Sequence, residues 1–261
     1  NPQFYVTAPQ DCPYLDNQVE RKLFTALYGT NSRRLNNSLS KQGFRRSQNV
    51  LYRPSCANCN ACMSARISSG DFKPSKSHKR ILSKNSDIVR IVNPALATDA
   101  QYDLFKKYIT ARHPNGGMSD MDANDFTAMI EETNVESKIV EYYAKKNEEL
   151  ELISFSLVDI LDDGISMVYS VFNPYLKERS LGTYMIIDHN RLALEMTLSF
   201  VYLGYWVKGS SKMDYKKRFS PLEVFTEDKW ICSSKVNHTR PNSVDGSKDK
   251  LGVPIYLPSD Q

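Results

Sequence analysis

The sequence has 261 residues, of which 41% are hydrophobic and 25% charged, proportions typical of a globular protein and not of a disordered or fibrous one. Its apolar runs are shorter than the ~20 residues of a membrane-spanning helix, so we expect no membrane partner. The net charge of +4 is divided unevenly: residues 1–90 have 15 Lys/Arg against 5 Asp/Glu, and the remainder has 19 against 25. A basic N-terminal part predicts a polyanion or an acidic substrate as its partner, and a solvated lysine-rich surface is the alternative.

The first ninety residues combine one helix pattern with short strands. Residues 18–28 carry apolar side chains at helical spacing, which predicts a helix. Residues 49–53 and 65–69 predict two strands on either side of a cysteine-rich segment. Residues 73–85 then predict a basic helix that begins near Pro74.

From residue 98 onward the pattern changes to longer elements. Thr98 is placed to cap a helix over residues 98–113. Further strands are predicted at 137–145, 151–161, 165–172 and 199–207, and further helices at 180–196 and 210–219. Strands followed by a long helix and another strand indicate an α+β fold with a mixed sheet. We therefore predict a basic N-terminal domain (1–92), a sheet domain (93–232) and a flexible tail (233–261).

Cys56, Cys59 and Cys62 follow one another at three-residue intervals, a spacing that can bring three thiolates to one soft metal centre. A tetrahedral zinc ion or an iron–sulfur cluster needs a fourth ligand, for which Cys12 is the candidate. Buried structural thiols are the alternative. Since cysteines are few and the first residues lack a basic and apolar leader, we expect a cytoplasmic protein with reduced thiols.

Residues 178–185, ERSLGTYM, have the outline R-x-x-G of the phosphate-binding turn of coenzyme A-dependent acetyltransferases. Backbone N–H groups at a helix N-terminus bind anions well. Tyr184 stands where a small residue would leave room for a pyrophosphate. The segment therefore predicts an acetyltransferase-like sheet whose donor is not coenzyme A.

Residues 202–219 place basic side chains beside aromatic ones, which suits the end of a nucleic acid because bases stack while phosphates are neutralised. An amphipathic helix with its aromatic residues in the core is the alternative. A second basic group, Arg45, Arg46 and Arg53, adjoins the cysteines. Guanidinium groups clamp carboxylates or phosphates with two hydrogen bonds.

Seven segments, in order along the chain, carry a resemblance to a known family: CPYL, GFRRSQNVLYRPSCANCNACMSARI, FKPSKSHKR, RHPNGGM, VDILDDGISMVYSVF, RSLGTYMI and YLGYWVKGSSKMDYKKRFSPLEV. Together they resemble the bacterial aspartate/glutamate leucyltransferases, which belong with the eukaryotic arginyl-tRNA–protein transferases. The resemblance extends from about Phe4 to Phe225, nearly the whole chain.

The resemblance implies a cytoplasmic enzyme of the N-degron pathway. Such an enzyme moves leucine from leucyl-tRNA to the N-terminal Asp or Glu of a protein, which marks that protein for degradation. The implied fold is α+β, with an acetyltransferase-like (GNAT) mixed sheet domain and a cysteine-containing N-terminal region. The transfer itself requires no cofactor, and an iron–sulfur cluster or zinc ion at Cys12, Cys56, Cys59 and Cys62 stays open.

Roles for individual residues follow as expectations. The acidic first residue of the acceptor is expected to meet four arginines around the cysteines: Arg45, Arg46, Arg53 and Arg66. The phosphates of the tRNA acceptor end are expected to meet Lys208, Lys212, Lys216 and Arg218. The aminoacyl group is expected at a junction lined by Tyr205, Trp206 and Tyr184. Asp159 and Asp214 are alternative proton acceptors, and the tRNA ribose is a third.

Three other functions remain open from the sequence. Arginine, transferred from arginyl-tRNA to the same acceptors, is the alternative within the same class of enzyme. A metal-bearing RNA-binding module without catalysis would share the basic and cysteine segments. An N-acetyltransferase acting on a small molecule would require coenzyme A, against which Tyr184 argues.

Overall fold

The structure is a computed structural model, and it describes residues 2–114, 116–146 and 148–236. The chain forms two compact units: unit 1 contains residues up to 72 and from 202 onward, and unit 2 contains residues 73–201. The sequence analysis predicts the boundary between the first two domains after residue 92. In the structure the chain enters unit 2 at Lys73, and residues 89–94 pair with a strand of unit 2. The predicted tail, 233–261, lies outside the described residues except for a short 3-10 turn at Ser233–Lys235.

The N-terminal part of unit 1 consists of short strands and one helix in its described residues. In chain order they are β1 (Phe4–Val6), β2 (Gln10–Asp11), β3 (Val19–Glu20), β4 (Lys22–Ala26), α1 (Ser32–Lys41), β5 (Arg45–Ser47), β6 (Val50–Pro54) and β7 (Cys62–Ser68). An antiparallel sheet has the order β1-β4-β6-β5, and β2 pairs with β3. The two strands predicted around the cysteines are confirmed as β6 and β7.

The helix predicted over residues 18–28 is wrong, because this segment forms β3 and β4. Strand β4 pairs with β1 along one edge, where Leu23 is opposite Val6, and with β6 along the other, where Phe24 is opposite Tyr52. Spacing alone does not distinguish a short helix from a strand whose partners are distant in sequence. Hydrogen bonds from two remote segments decide the conformation here.

Unit 2 combines helices with an antiparallel run of strands. Its elements in chain order are α2 (Lys76–Lys84), β8 (Val89–Pro94), α3 (Asp99–Arg112), α4 (Ala123–Glu131), β9 (Ser137–Lys146), β10 (Glu149–Ile160), β11 (Gly164–Phe172) and α5 (Leu181–Glu195). The strands pair in the order β11-β10-β9-β8. The helices and strands predicted in this part of the chain are confirmed, and β8 and α4 are additional.

Helix α3 shows how the sequence determines the core of unit 2. The side chain of Thr98 accepts from the backbone N–H of Gln101, whose side chain accepts from the N–H of Thr98, so both ends of this capping box are satisfied. The buried face of α3 then packs with α4 and with β10 and β11 in one cluster, which contains Leu104, Phe105, Ile109, Phe126, Phe155, Leu157 and Val171. Each fully buried side chain of this size contributes about 1.5–3 kcal/mol.

After α5 the chain returns to unit 1. Strand β12 (Phe200–Val207) is followed by a 3-10 helix (Ser211–Arg218), β13 (Leu222–Thr226) and β14 (Lys229–Cys232). In unit 1 these strands have the order β14-β13-β7-β12. The α+β class is confirmed, and the predicted helix over 210–219 is a 3-10 helix. None of the helices in the described ranges has the length and apolarity to cross a bilayer.

Candidate functional site

A pocket in unit 1 lies against one face of the β4–β6 pair. Lys22 of β4 is directly opposite Pro54 of β6, and Tyr52 lies two residues before Pro54, so the three side chains project from the same face. All three line the pocket. The other walls include Cys12, Tyr14, Leu15, Glu20, Cys56, Cys59, Cys62 and Tyr205. The centre of a water molecule can reach about 60 Å³ of this space.

Four of the five cysteines line this pocket, whereas Cys232 lies beside Ser234 in the C-terminal part of unit 1. Burial, reinforced by the neighbouring thiols, raises the pKa of Cys62 to about 12. Burial also raises the pKa of Cys56. Both thiols are therefore protonated at neutral pH, which does not suit a nucleophile because only the thiolate attacks.

The cysteines provide the soft donors that zinc and iron–sulfur clusters prefer. Yet within the described residues no three His, Cys, Asp or Glu side chains are positioned to hold a metal ion. The structure thus brings the predicted ligands, including Cys12, to one pocket without the geometry of a metal centre.

Two of the four predicted arginines, Arg45 and Arg46, are neighbours on β5 and lie on opposite faces of the sheet. Arg45 is directly opposite Tyr52 and therefore projects from the pocket face. Arg46 is 3% exposed and donates from Nη1 to the carbonyl oxygen of Gln48 at 2.8 Å. Only Arg45 of this pair is placed to influence the pocket.

The other two arginines contact aromatic and acidic residues of unit 1. Arg53 follows Tyr52 on β6 and projects to the opposite face, where its Cζ lies 4.9 Å from the ring centroid of Phe44. Burial lowers the pKa of Arg53. Arg66 on β7 donates from Nε to Glu223 at 2.7 Å, and its Cζ lies 4.2 Å from the ring centroid of Trp230. These contacts give Arg53 and Arg66 a stabilising role in the fold.

Tyr205 and Trp206 are consecutive on β12, so their side chains project to opposite faces. Tyr205 lines the pocket, and its hydroxyl donates to the carbonyl oxygen of Tyr52 at 2.8 Å. Trp206 is 3% exposed, and its Nε1 has no hydrogen-bond partner among the residues that the structure describes. The Nζ of Lys217 lies 5.0 Å from the Trp206 ring. Only Tyr205 of the two belongs to the pocket.

The four cations predicted to neutralise phosphates differ in exposure. Lys212 and Arg218 are exposed and Lys208 is half-buried, so all three reach the surface. Lys216 is 3% exposed, and its Nζ donates to the carbonyl oxygen of Tyr205. The structure therefore does not give Lys216 the surface position that contact with a phosphate requires.

Tyr184 belongs to α5 of unit 2, where it meets Tyr142 edge to face with ring centroids 5.7 Å apart. Burial raises the pKa of Tyr184 to about 12. Asp159, also in unit 2, is buried and accepts from the hydroxyl of Ser137 at 2.7 Å. Asp214 is exposed in unit 1 and forms an ion pair with Lys217 at 3.2 Å.

The R-x-x-G segment of unit 2 is held by its own arginine. Arg179 donates from Nη1 and Nη2 to the two carboxylate oxygens of Asp87, both at 2.9 Å, and this pairing lowers the pKa of Asp87. Ser180, the N-cap residue that precedes α5, has a left-handed backbone conformation at φ 50°. The guanidinium therefore anchors the start of the helix through a bidentate contact.

A buried polar network, which the motifs did not predict, lies under α5. The hydroxyl of Tyr142 and the Nη1 of Arg90 both donate to Oδ2 of Asp188, at 3.0 and 3.1 Å. The fully buried His189 has Nδ1 2.6 Å from the Met185 carbonyl oxygen, so Nδ1 carries the proton and donates. Burial lowers the pKa of His189, which keeps the ring neutral at pH 7.

Gly204 also has a structural role that the sequence motifs did not predict. Its φ is +72°, and a Cβ added there would lie 1.2 Å from Nη1 of Arg45. Glycine is therefore required, both for the left-handed backbone and for the close approach of the guanidinium. The available sequence signal is an isolated glycine inside a strand pattern, which marks a close approach of another group.

Family profiles match most of the chain. The profile described as "Arginine-tRNA-protein transferase, N terminus" matches residues 10–80, and the one described as "Arginine-tRNA-protein transferase, C terminus" matches residues 100–226. The first match contains the pocket face of β4 and β6 and the four clustered cysteines. The second contains Tyr205, Lys216 and Gly204.

Curated relatives share about half of their residues with this chain. The aspartate/glutamate leucyltransferase of Ruegeria pomeroyi is 57% identical over 229 residues, which cover 88% of this chain and 83% of the relative. The enzyme of the same name from Dinoroseobacter shibae is 52% identical over 274 aligned residues, covering 100% of this chain and 96% of the relative.

Solved structures resemble the chain more distantly. The C-terminal domain of a putative lysylphosphatidylglycerol synthetase from Agrobacterium fabrum has a TM-score of 0.45 at 10% identity, covering 63% of this chain and 60% of that one. A tandem GNAT protein from the clavulanic acid biosynthesis pathway has a TM-score of 0.39 at 9% identity, covering 81% and 58%.

Proposed function

Because the chain belongs to the arginine-tRNA-protein transferase family, we propose that it transfers leucine from leucyl-tRNA to the N-terminal Asp or Glu of acceptor proteins. The observation that carries this proposal is the identity of 52–57%, over 88–100% of the chain, to relatives named aspartate/glutamate leucyltransferase. The reaction takes place in the cytoplasm, where charged tRNA is available, and the added leucine marks the acceptor for degradation.

The chemistry is attack of an amine on an activated ester. The α-amine of the acceptor bonds to the leucyl carbonyl carbon, and the tetrahedral intermediate then expels the ribose oxygen of the tRNA, so an amide forms as the ester bond breaks. One proton leaves the α-nitrogen and one is taken up by the ribose oxygen. The enzyme must align the two ends and stabilise the oxyanion, and a positioned acceptor group or the ribose itself takes the proton.

The pocket of unit 1 is our proposed site for the end of the acceptor. Tyr52 and Tyr205 give it an aromatic wall, and Arg45 projects from the same face of the sheet as Tyr52. The α-amine must be neutral to attack, and the largely apolar lining of the pocket disfavours its ammonium form. The acceptor's acidic side chain requires a cation, and Arg45 is the arginine of the predicted four that faces this side.

The exposed cations near the end of β12 are our proposed contacts for the tRNA. Lys212 and Arg218 have the exposure that phosphate contacts require, and Lys208 is partly exposed. We further propose that Tyr205 lies next to the aminoacyl end.

The test supplies tRNA charged with labelled leucine or arginine, together with a peptide that begins with Asp. We expect labelled leucine in the peptide and none when the peptide begins with Gly. Incorporation of arginine alone would show that the enzyme is an arginyltransferase. Arginyl transfer is the second candidate because the family is described as arginine-tRNA-protein transferase. Binding of tRNA without a peptide product would indicate a non-catalytic RNA-binding module.

We also propose that the cysteines hold a zinc ion or an iron–sulfur cluster after a small closure of their loop. Cys12, Cys56, Cys59 and Cys62 would be the ligands, and the group would stabilise the loop without taking part in the transfer. The thiols that line one pocket support this proposal through their softness and proximity. Elemental analysis of anaerobically purified protein tests it: Cys59→Ser is expected to lose metal and Cys232→Ser to keep it, and a metal-free wild-type protein would contradict it.

A further inference from the structure

Lys216 is a buried lysine whose contacts do not balance its charge. Its side chain is 3% exposed, and its Nζ donates to the backbone carbonyl oxygen of Tyr205 and lies 5.8 Å from the ring of Tyr215. In the described part of the chain no carboxylate contacts this ammonium. Lysines are almost never fully buried unless they are paired, because an uncompensated charge in a low dielectric is costly.

The charge that acts on Lys216 is that of a second cation, Arg45. Burial, and after it the charge of Arg45, lowers the pKa of Lys216 to about 7. The guanidinium of Arg45 lies against the backbone of β12, with Nη1 3.5 Å from the carbonyl oxygen of Leu203. Gly204 admits it at φ +72°, where any Cβ would overlap Nη1. The left-handed backbone and the missing Cβ of Gly204 thus leave room for the guanidinium in this position.

Both cations donate to the backbone of β12, the strand whose Tyr205 lines the pocket. Arg45 donates to the carbonyl oxygen of Leu203, and Lys216 donates to that of Tyr205. Arg45 is also opposite Tyr52, whose side chain lines the pocket, so Arg45 and Tyr52 project from the same face. The two positive groups therefore contact the strand that supplies one wall of the pocket.

We propose that Arg45 and Lys216 together form the subsite for the side-chain carboxylate of the acceptor's N-terminal Asp or Glu. This inference rests on the function proposed above, and it assigns to Lys216 the recognition of the acceptor in place of tRNA. One carboxylate can take two hydrogen bonds from the guanidinium and one from the ammonium. It also offsets the repulsion between the buried ammonium and the half-buried guanidinium, a gain that a neutral Asn or Gln side chain cannot supply.

Burial favours a carboxylate over a phosphate of the tRNA. A phosphodiester continues into chain on both sides and needs an open groove, whereas an Asp or Glu side chain ends in its charged group. The exposed Lys212 and Arg218 are the better partners for phosphates. The site therefore distinguishes acceptors whose first residue is Asp or Glu from acceptors with a neutral first side chain.

The experiment compares the kcat/KM of leucyl transfer to two peptides that differ only in an N-terminal Asp or Asn. In Lys216→Met we expect the Asp-to-Asn ratio to fall at least tenfold, through the KM for the Asp peptide, while the KM for leucyl-tRNA changes less than twofold. Lys216→Arg retains the charge and should keep the ratio within about threefold of wild type. The neighbouring Lys217→Met, which alters an exposed lysine, is the matched control and should leave the ratio unchanged.

Each other outcome is decisive. An unchanged ratio in Lys216→Met overturns the subsite, since a merely structural lysine would lower both kcat/KM values together. A tenfold rise in the KM for leucyl-tRNA with an unchanged ratio would assign the cations to an RNA phosphate and overturn it as well. If Lys216→Met does not fold, Arg45→Gln must show the same loss of the ratio. A wild-type protein that modifies neither peptide refutes the proposed function itself, and the subsite with it.

Discussion

Replacing Lys216 by methionine removes an ionisable group from a site where its charge is disfavoured, so the free energy of unfolding should depend differently on pH. The pKa of Lys216 falls from its ordinary 10.5 to about 7, because of burial first and Arg45 second. Between these two values the unfolded chain binds a proton that the folded chain has lost. Stability therefore rises with pH from about 7 towards 10.5, and the full destabilisation is present below pH 7.

The size of the effect follows from the linkage relation. At pH 8 the folded lysine is mostly neutral and the unfolded one is charged, which gives a slope of roughly 1 kcal/mol per pH unit. Integrated from pH 7 to pH 8.5, the wild-type protein should gain about 1–2 kcal/mol relative to Lys216→Met. The contributions of the other ionisable groups cancel because both proteins contain them.

The assay is urea denaturation of both proteins at pH 7.0, 7.5, 8.0 and 8.5, followed by fluorescence of the two tryptophans. The difference between the two free energies of unfolding should change by about 1–2 kcal/mol across the series. Parallel curves would show that Lys216 keeps an ordinary pKa, and the reasoning from burial would then be refuted.

Three further substitutions test other parts of the structure. Gly204→Ala places a Cβ at φ +72° and 1.2 Å from Nη1 of Arg45, so a loss of ~1–3 kcal/mol is expected by urea denaturation. A loss below about 0.5 kcal/mol would contradict this expectation. Arg66→Ala removes the ion pair with Glu223 and the stacking on Trp230. We expect it to lower the free energy of unfolding by roughly 2–3 kcal/mol and to leave the KM for Asp peptides unchanged. A raised KM would show that Arg66 contacts the acceptor. His189→Gln should lessen acid sensitivity. Burial lowers the pKa of the imidazole, so the wild-type protein loses stability as pH falls below 6.5, and the variant should lose less in urea denaturation over the same range. An equal loss in both proteins would assign the acid sensitivity to other groups.

The sequence by itself determined the local elements and the family. The capping box of Thr98 and the apolar period of α3 depend on residues within four positions of one another, so reading the chain in order is sufficient. The long strands of unit 2 repeat apolar residues over nine or more positions, which is enough to identify them. The motifs of the resemblance, from CPYL to the segment after β12, likewise consist of contiguous residues.

Tertiary structure alone decided everything that depends on which face a side chain occupies. Residues 18–28 have the spacing of a helix and form β3 and β4 instead, because β1 and β6 pair with β4 from distant parts of the chain. Arg45 and Arg46 are neighbours in sequence and equal in charge, but the alternation of a strand gives only Arg45 to the pocket face. Lys216 has the sequence neighbourhood of a surface cation and is buried beneath Tyr205, next to an arginine 171 positions earlier in the chain. Contacts between residues so far apart in sequence depend on tertiary packing. They cannot be predicted from a short stretch of the chain, because that stretch does not contain both partners.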